Sequence, residues 1–586
     1  MKSINLPTIP GSDRIRGTAL TIFVAFVCSC GFLLFGYDQG VMSLLIEEPM
    51  LASTMPKIAK YEPDGANTAD EYARTHPNDP IPYFPDQFDS NVQGAVVSCY
   101  ELGCMVGSLF LLWKGDVIGR RWSVVIGSTI MIIGVIIMVA DDTIGPFTAG
   151  RVIAGVGNGF NTTTIPMLQS ELSRPQYRGL LVFIEGALLA GGVMISYWLD
   201  FGFYFLKFNS VQWRFPIAFQ IVFAGILMLG VFVMPESPRW LVKRGRIEEA
   251  NAVLSRLHDK PMDDPAVQQE LHTLVDAIRK VEMDLGPFKY RELLTNGPQQ
   301  NFYRLALGCG AQCMQQWTGI NNLTYYASTV FKMVQPDDVA SRLLVCGSGV
   351  LYFLAASVAV FLIDVAGRRT LMISCAFGMM LCYAIISGMV YMVDPSTSPD
   401  TPQSSRDVYG KVGEAFIYLY FIPWSFGWLG MTWLYPPEIM PIRIRAAGTA
   451  LSTCTNWLMN FTVVMISPPA FENLKNHTFT MFGAFNFIFI PIVYMFYPET
   501  NRRGLEEMDL FFADAHQEGF WKPSRFMTTA AYLSITRPYL TSEELDAIIS
   551  KRDEMEAIPD SEANPEFAQG MPNEPKEMPV NPPNQA

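Results

Sequence analysis

The chain has 586 residues, of which 50% are hydrophobic and only 17% charged, and its formal net charge is −13. A soluble chain of this length divides into several domains and carries nearer a quarter of charged residues, so the composition excludes an ordinary soluble multidomain protein. The negative charge comes largely from the C-terminal tail, and no basic tract points to a nucleic-acid partner.

Residues 1–18 read as a short polar N-terminus. Apolar runs of about 20 residues, the length that crosses ~30 Å of hydrocarbon, follow at 19–43, 93–113, 122–141, 145–168, 180–202 and 214–234. The first run is too long for a cleavable signal and lacks a small-residue cleavage site, so it is expected to remain as the first span. A polar block at 235–302 reads as a linker of short amphipathic helices, with apolar positions at helical spacing in Arg246-Ile-Glu-Glu-Ala-Asn-Ala-Val-Leu. Six further runs occupy 303–327, 342–363, 370–393, 412–436, 446–468 and 478–497. From about Asp514 the chain gains Pro, Glu and Asn and loses periodicity, so 498–586 is expected to be a largely disordered tail.

Basic residues set the orientation. Arg120-Arg121, Arg174 with Arg178, Arg239 to Arg246, Arg368-Arg369, Arg443 with Arg445, and Arg502-Arg503 all follow even-numbered spans or the last one. The positive-inside rule makes that side cytosolic, with both termini and the linker. The acidic 47–91 segment then faces outward. Ten Cys are scattered with none in that segment, which argues against an external disulfide framework. The five His (His76, His258, His272, His477, His516) fall in polar segments, so neither a metal nor a cofactor is expected. No nucleophile, base and orienting group come together at recognisable spacing, so the chain does not read as an enzyme.

Internal repeats define the architecture. Asp116-Val-Ile-Gly-Arg-Arg after the second span recurs as Asp364-Val-Ala-Gly-Arg-Arg after the eighth. Glu171 with Arg178 recurs as Glu438 with Arg445, and Pro235-Glu-Ser recurs as Pro498-Glu-Thr. Three motifs in one order, each six spans apart, imply an all-α polytopic membrane protein of twelve transmembrane helices in two pseudo-symmetric six-helix bundles. Such duplication puts a substrate site at the midplane between the halves.

With Phe35-Gly-Tyr-Asp-Gln-Gly, Gly150-Arg-Val-Ile-Ala-Gly-Val-Gly, Pro235-Glu-Ser-Pro-Arg-Trp-Leu, Gln315-Gln-Trp-Thr-Gly-Ile-Asn-Asn-Leu-Thr-Tyr-Tyr and Leu505-Glu-Glu, these motifs resemble the sugar porter family of the major facilitator superfamily. The resemblance runs from about Phe23 to Phe512. Within it, Phe35 to Ser43, Gln212-Trp-Arg-Phe-Pro and Ser452-Thr-Cys-Thr-Asn-Trp are similar to the fungal glycerol/proton symporters. The resemblance implies a monomer in the plasma membrane that takes up a small polyhydroxylated solute, glycerol first, in symport with a proton by alternating access. A hexose transporter or facilitator, and a transporter-like nutrient sensor, stay open. Lipid, the solute and the proton are the expected partners.

Several residues stand out as site candidates. Asp38 in the first span and Arg151 in the fourth are charges at membrane depth, stable there only as a pair. Protonating Asp38 would release Arg151, and the resemblance gives this pair the proton-coupling role. Glu101 and Glu185 are further acids within spans. Glu185 reads as a second titrating site, a hydroxyl ligand or a packing group. Beside it stands Gly186 where the family has a sugar-binding Gln. Gln315, Gln316, Asn321 and Asn322 are carboxamides in the seventh span, able to donate to and accept from vicinal hydroxyls. Trp428, Asn456 and Trp457 are expected to complete the cavity. In the tenth span Leu429-Gly430 stand where the family has Gly-Pro. Asp116, Arg120, Arg121, Glu171, Arg178, Asp364, Arg368, Arg369, Glu438 and Arg445 sit at helix ends, where the resemblance makes them gating salt bridges. Asn476-His-Thr478 is an outward glycosylation sequon.

Overall fold

A computed structural model describes residues 14–537, apart from 49–50, 52–53, 56–88, 174–177, 207–208, 286–288, 442, 502 and 504. The first half comprises α1 (Gly17–Leu45), α2 (Ser90–Ile118), α3 (Arg120–Ala140), α4 (Ile144–Leu172), α5 (Arg178–Tyr204) and α6 (Val211–Val233). The linker carries α7 (Pro238–Lys243), α8 (Ile247–His258), α9 (Pro265–Leu285) and a 3₁₀ turn, Tyr290–Leu294. In the second half the seventh span is broken into α10 (Asn301–Trp317), α11 (Ile320–Thr324) and α12 (Ala327–Val334). The eighth and ninth are α13 (Asp338–Ala366) and α14 (Arg368–Val393). The tenth is α15 (Gln403–Trp424), a π turn and α16 (Met431–Ile439). The last two are α17 (Arg445–Leu474) and α18 (His477–Phe496). Within the first half α1 packs on α5 and α4 on both α2 and α3, while α2 against α17 and α5 against α13 join the halves.

Together these make the twelve-helix major facilitator fold. Eight of the described helices are long and apolar enough to cross a membrane individually. The spans that fall short are polar or interrupted for visible reasons. The α4 helix carries Arg151 with Asn158 and Asn161, the seventh and tenth spans are in pieces, and α17 carries Asn456, Asn460 and Pro468-Pro469.

The duplicated motif is one structural joint made twice. Gly119 and Gly367 end α2 and α13 at φ +92° and +82°, a conformation that favours glycine, and open α3 and α14. Their partners are the acids of the Pro-Glu-Ser and Pro-Glu-Thr segments. Glu236 accepts from the backbone N–H of Arg121 (3.3 Å), and Glu499 from those of Arg368 (2.8 Å) and Arg369 (3.0 Å). A carboxylate at a helix N-terminus satisfies unpaired N–H groups and meets the positive end of the dipole.

After the last span, part of the expected disordered tail is instead folded: α19 (Leu505–Glu518), a hairpin of β1 (Trp521–Lys522) and β2 (Met527–Thr528), and α20 (Thr529–Thr536). The α19 helix has an apolar face, Met508, Phe511, Phe512 and Ala515, all buried. Arg304 of α10 pairs with Asp509 and lies 4.1 Å over the Phe512 ring, and Tyr303 donates to Thr528 Oγ1 at 3.0 Å. The rest of the tail lies outside the described residues.

A Cβ at position 367 would stand 2.8 Å from Glu499 Oε2 in a left-handed backbone. Gly367→Ala is therefore expected to cost about 1–2 kcal/mol and to lower the melting temperature of the purified protein. Gly388→Ala, where no atom lies within 4 Å, should leave it unchanged or raise it.

Candidate functional site

The seventh span breaks at Thr318-Gly319, with Gly319 at φ +91°. The carbonyls freed by the break are taken up by neighbouring spans. Thr318 O accepts from Tyr420 Oη (2.9 Å) and Asn486 Nδ2 (3.0 Å), and Gly319 O from Tyr383 Oη (2.6 Å). A non-helical backbone at membrane depth persists only when its polar groups are satisfied in this way. The break also sets which way the amides of this span face. Gln315, Gln316 and Asn321 face a central cavity, whereas Asn322 turns away and accepts from Ser467 Oγ at 2.5 Å.

The tenth span changes to a π turn over Ser425–Leu429, just after Pro423. A π turn loosens the helical ladder and leaves carbonyls for other donors. Gln315 Nε2 donates to the Trp428 and Leu429 carbonyls (2.9 and 3.3 Å), and Gln312 Nε2 to Thr432 O (2.8 Å). Asn456 Nδ2 bridges Gln312 Oε1 and Gln315 Oε1 at 2.7 and 2.8 Å, and Asn321 Nδ2 donates to Gln316 Oε1 at 2.7 Å. Five carboxamides thus hold one another and the altered turn. The cavity beside them is also lined by Phe35, Gln39, Tyr352, Trp424 and Trp433.

Two tryptophans expected in the cavity lie elsewhere. The π turn rotates Trp428 into the second half, where its indole N–H donates to Met372 O at 3.2 Å and its ring meets Phe489. Trp457 packs edge-on against Phe35, ring centroids 5.1 Å apart, behind the cavity wall. Trp424 and Trp433 line it instead, and Trp424 Nε1 donates to Tyr352 Oη at 3.2 Å. Gln39 was legible in principle, because it stands one helical turn from Phe35 and next to Asp38.

Asp38 and Arg151 meet in the first half, both fully buried. Arg151 Nη1 lies 3.2 Å from each Asp38 oxygen, Nη2 donates to Val97 O at 3.0 Å, and the guanidinium stands 4.7 Å from the Tyr100 ring. Breaking such a pair by removing one member typically costs about 3–5 kcal/mol. Glu185 does not join it. It lines a smaller recess with Phe32, Gly186 and Gly430, which shares Leu189, Leu429 and Trp433 with the main cavity. Its Oε1 is buried without a hydrogen-bond partner.

The helix-end charges divide between the halves. Arg120 bridges Asp116 and Glu171, each at 3.2 Å, and Lys243 of α7 reaches Asp116 at 2.5 Å. In the second half Arg368 reaches Glu438 at 3.3 Å and Asn501 at 2.7 Å, and Glu438 also accepts from Thr500 Oγ1 at 2.6 Å. Arg121 donates to the Val231 and Phe232 carbonyls, Arg369 to Tyr494 O, and Arg445 to Met440 O. The side chains of Arg178 and Asp364 lie outside the described residues. Between the halves on this side stands the 3₁₀ turn of the linker. Tyr290 donates to Leu112 O at 3.2 Å, and Glu292 pairs with Arg443 at 2.5 Å.

At the opposite end, ionic contacts cross directly between the halves. Glu48, just beyond α1, pairs with Arg342 of α13 at 2.5 Å and accepts from Gln212 Nε2 at 3.1 Å. Glu47 pairs with Lys332 of α12 at 3.0 Å, and Tyr204 of α5 donates to Asp338 at 2.8 Å. These contacts were not singled out in the sequence, because Glu47 and Glu48 read there only as the start of an acidic loop.

A buried ion pair, an amide-lined cavity between two pseudo-symmetric halves, and broken helices beside it are the features of a membrane transporter of the major facilitator fold. Residues 23–512 match the family model for Sugar (and other) transporter, and the chain belongs to that family. It is 36% identical over 568 residues to "Sugar transporter STL1" of Saccharomyces cerevisiae, covering 95% of this chain and 93% of that protein. It is 29% identical to a low-affinity glucose transporter of Kluyveromyces lactis, covering 89% and 86%. In fold it is similar to the proton:xylose symporter XylE bound to 6-bromo-6-deoxy-D-glucose, with TM-score 0.67, 22% identity and coverage of 85% and 100%.

The Glu48 contact carries a pH dependence. Burial pushes its carboxyl up to about 7, against the pull of Arg342 and Lys332, with Asp338 adding to the rise. Exposed by separation of the halves, it would return towards its ordinary value of about 4.3. The closed arrangement therefore binds the proton more tightly, so acidification from about 7 favours closure and rising pH through 7 weakens it. Pulsed electron paramagnetic resonance between spin labels at Thr143 and Asn473 should show more of the short distance at pH 5 than at pH 8. Glu48→Gln should shrink the difference. A larger closed fraction at pH 8 would refute this sign.

Proposed function

We propose that this protein takes up a small polyol, glycerol first, together with a proton, by alternating access. The observation that carries this reading is the sealed Asp38–Arg151 pair, adjacent in α1 to Gln39, which lines the amide-rich cavity. A buried carboxylate paired with arginine can accept a proton only by giving up the pair, so protonation and the packing of α1 on α4 are linked. Gln39 and Phe35 put the same helix in contact with the solute. Carboxamides that donate and accept suit hydroxyls in any arrangement, and Trp424 and Trp433 offer flat faces to C–H groups. Gly186 in place of a sugar-binding amide, with the unpartnered Glu185 oxygen beside it, supports a solute shorter than a hexose. Glu185 then serves as a hydroxyl ligand or a second titrating group.

Similarity to a sugar transporter and a glucose transporter supports the carbohydrate-like class, and the fold shared with a proton:xylose symporter supports proton coupling. We place the arginine-rich side in the cytosol with both termini, and the Glu48 side outside the plasma membrane, on the charge asymmetry of the loops. The helix-end charges Asp116, Arg120, Arg121, Glu171, Arg178, Asp364, Arg368, Arg369, Glu438 and Arg445 then act as the cytosolic gate. One charge moving through about 100 mV supplies ~2.3 kcal/mol, enough for roughly 50-fold accumulation.

Uptake of labelled glycerol and labelled glucose into cells lacking their own carriers, with and without an uncoupler, tests the reading. Glycerol accumulation should be abolished by the uncoupler, and Asp38→Asn should reduce it at least about 10-fold while downhill flux persists. Glucose uptake insensitive to both would make this a hexose facilitator and refute the proton role of Asp38.

A further inference from the structure

A second acid stands beside the Asp38–Arg151 pair. Glu101 of α2 is fully buried, and neither of its carboxyl oxygens has a hydrogen-bond partner. It sits one helical turn after Val97, whose carbonyl holds Arg151 Nη2, so its side chain lies on the helix face that meets the guanidinium. Arg151 feels two carboxyls, Asp38 first and Glu101 second. The groups that face Glu101 are Arg151 from α4, Asp38 from α1, Tyr325 and Tyr326 from the turn between α11 and α12, and Cys99 and Cys104 from its own helix. The Tyr325 hydroxyl is the one directed at the carboxyl, yet it too is buried and falls short of hydrogen-bond geometry.

Charge decides what this cluster holds. One guanidinium balances one carboxylate; a second buried carboxylate that no N–H of the protein reaches is too costly to keep ionised. The three groups therefore hold one proton. Arg151 touches both Asp38 oxygens, so Asp38 is the carboxylate and Glu101 carries the proton in this arrangement. We propose that Glu101 is the second carboxyl of the proton site and the alternative partner of Arg151, exchanging roles with Asp38 as a proton arrives at one and leaves the other. The exchange balances. A proton binds Asp38, its pair with Arg151 opens, Glu101 releases its own proton, and the guanidinium turns to the new carboxylate. Net charge is zero before and after.

The consequence reaches the other half of the molecule. Tyr325 belongs to the hinge of the seventh span and directly follows Thr324, which lines the cavity. That hinge is bound to the first half through Tyr197 Oη to Thr324 O (2.7 Å) and Ala327 N–H to Ser43 Oγ (3.1 Å). A Glu101 carboxylate is a stronger acceptor for the Tyr325 hydroxyl than the neutral acid, so the position of the proton is read by the hinge. Glu101 is thus a positioning residue between the proton pair and the amide-bearing span.

This inference rests on the proton role given to Asp38 above, and the test separates the two. Infrared spectra of the purified full-length protein, compared between wild type and variants, report buried protonated carboxyls without any substrate. Glu101→Gln should remove one carboxylic-acid C=O band. Asp38→Asn should remove the same band, because Glu101 then ionises against Arg151. In proteoliposomes loaded with labelled glycerol, Glu101→Gln should lose at least 10-fold of proton-driven accumulation but keep glycerol counterflow within about 2-fold; Glu101→Asp should restore part of the accumulation, and Tyr325→Phe should shift its pH profile. A Glu101 band that survives Asp38→Asn, or an unchanged spectrum in Glu101→Gln, overturns the shared proton. If wild type moves no glycerol, the polyol reading fails and the infrared result still decides the role of Glu101.

Discussion

A guanidinium and a carboxylate 3.2 Å apart, both shut away from water, are each far too costly to bury alone. Neighbouring groups of the first half keep that pair together. Val97 O and the Tyr100 ring hold the arginine, and Tyr37 beside Asp38 donates to Pro216 O at 2.8 Å, fixing α1 against α6. The pair is a constraint with two settings, satisfied when both groups are charged and released when Asp38 is neutral. Coupling needs such a two-state element within reach of both ligands.

The two halves repeat one another at their ends but divide the work at their centre. The joints at Gly119 and Gly367, each closed by a glutamate on a helix N-terminus, are nearly superimposable in chemistry. At mid-depth the first half carries the ionisable groups Asp38, Glu101, Arg151 and Glu185 on unbroken helices. The second half carries the interlinked carboxamides Gln312, Gln315, Gln316, Asn321 and Asn456, and the breaks in the seventh and tenth spans. A broken helix leaves carbonyls unsatisfied, and the amides of Gln312 and Gln315, with Tyr383, Tyr420 and Asn486, satisfy them. The same amides line the cavity, so solute contact and helix geometry in the second half are not independent.

Span number, order and the duplication were legible because hydropathy and charged helix ends are local properties of sequence. The amides of the seventh span were legible as a group, since four carboxamides in an apolar run need partners. Their distribution was not, because Gly319 redirects the helix and turns Asn322 to Ser467. Trp428 was misjudged for a related reason. A helix of regular period puts it inside, and the π turn at Ser425–Leu429 exchanges it for Trp424 and Trp433. Sequence offered Pro423 and Gly430 as the only hints of that turn. The folded segment after the last span went unseen because its short apolar face on α19 is followed by polar, proline-rich chain. The contacts of Glu47 and Glu48 depend on Lys332 and Arg342, which are nearly 300 residues away.

The central claim is that a positive charge crosses with the solute because Asp38 must be neutralised for the halves to move. Charge displacement can be recorded directly, by adding glycerol to proteoliposomes adsorbed on a solid-supported membrane with no imposed gradient. The account predicts an inward positive current in the wild type, and none in Asp38→Asn although labelled glycerol still equilibrates. Glycerol movement without current in the wild type, or an undiminished current in Asp38→Asn, would contradict it.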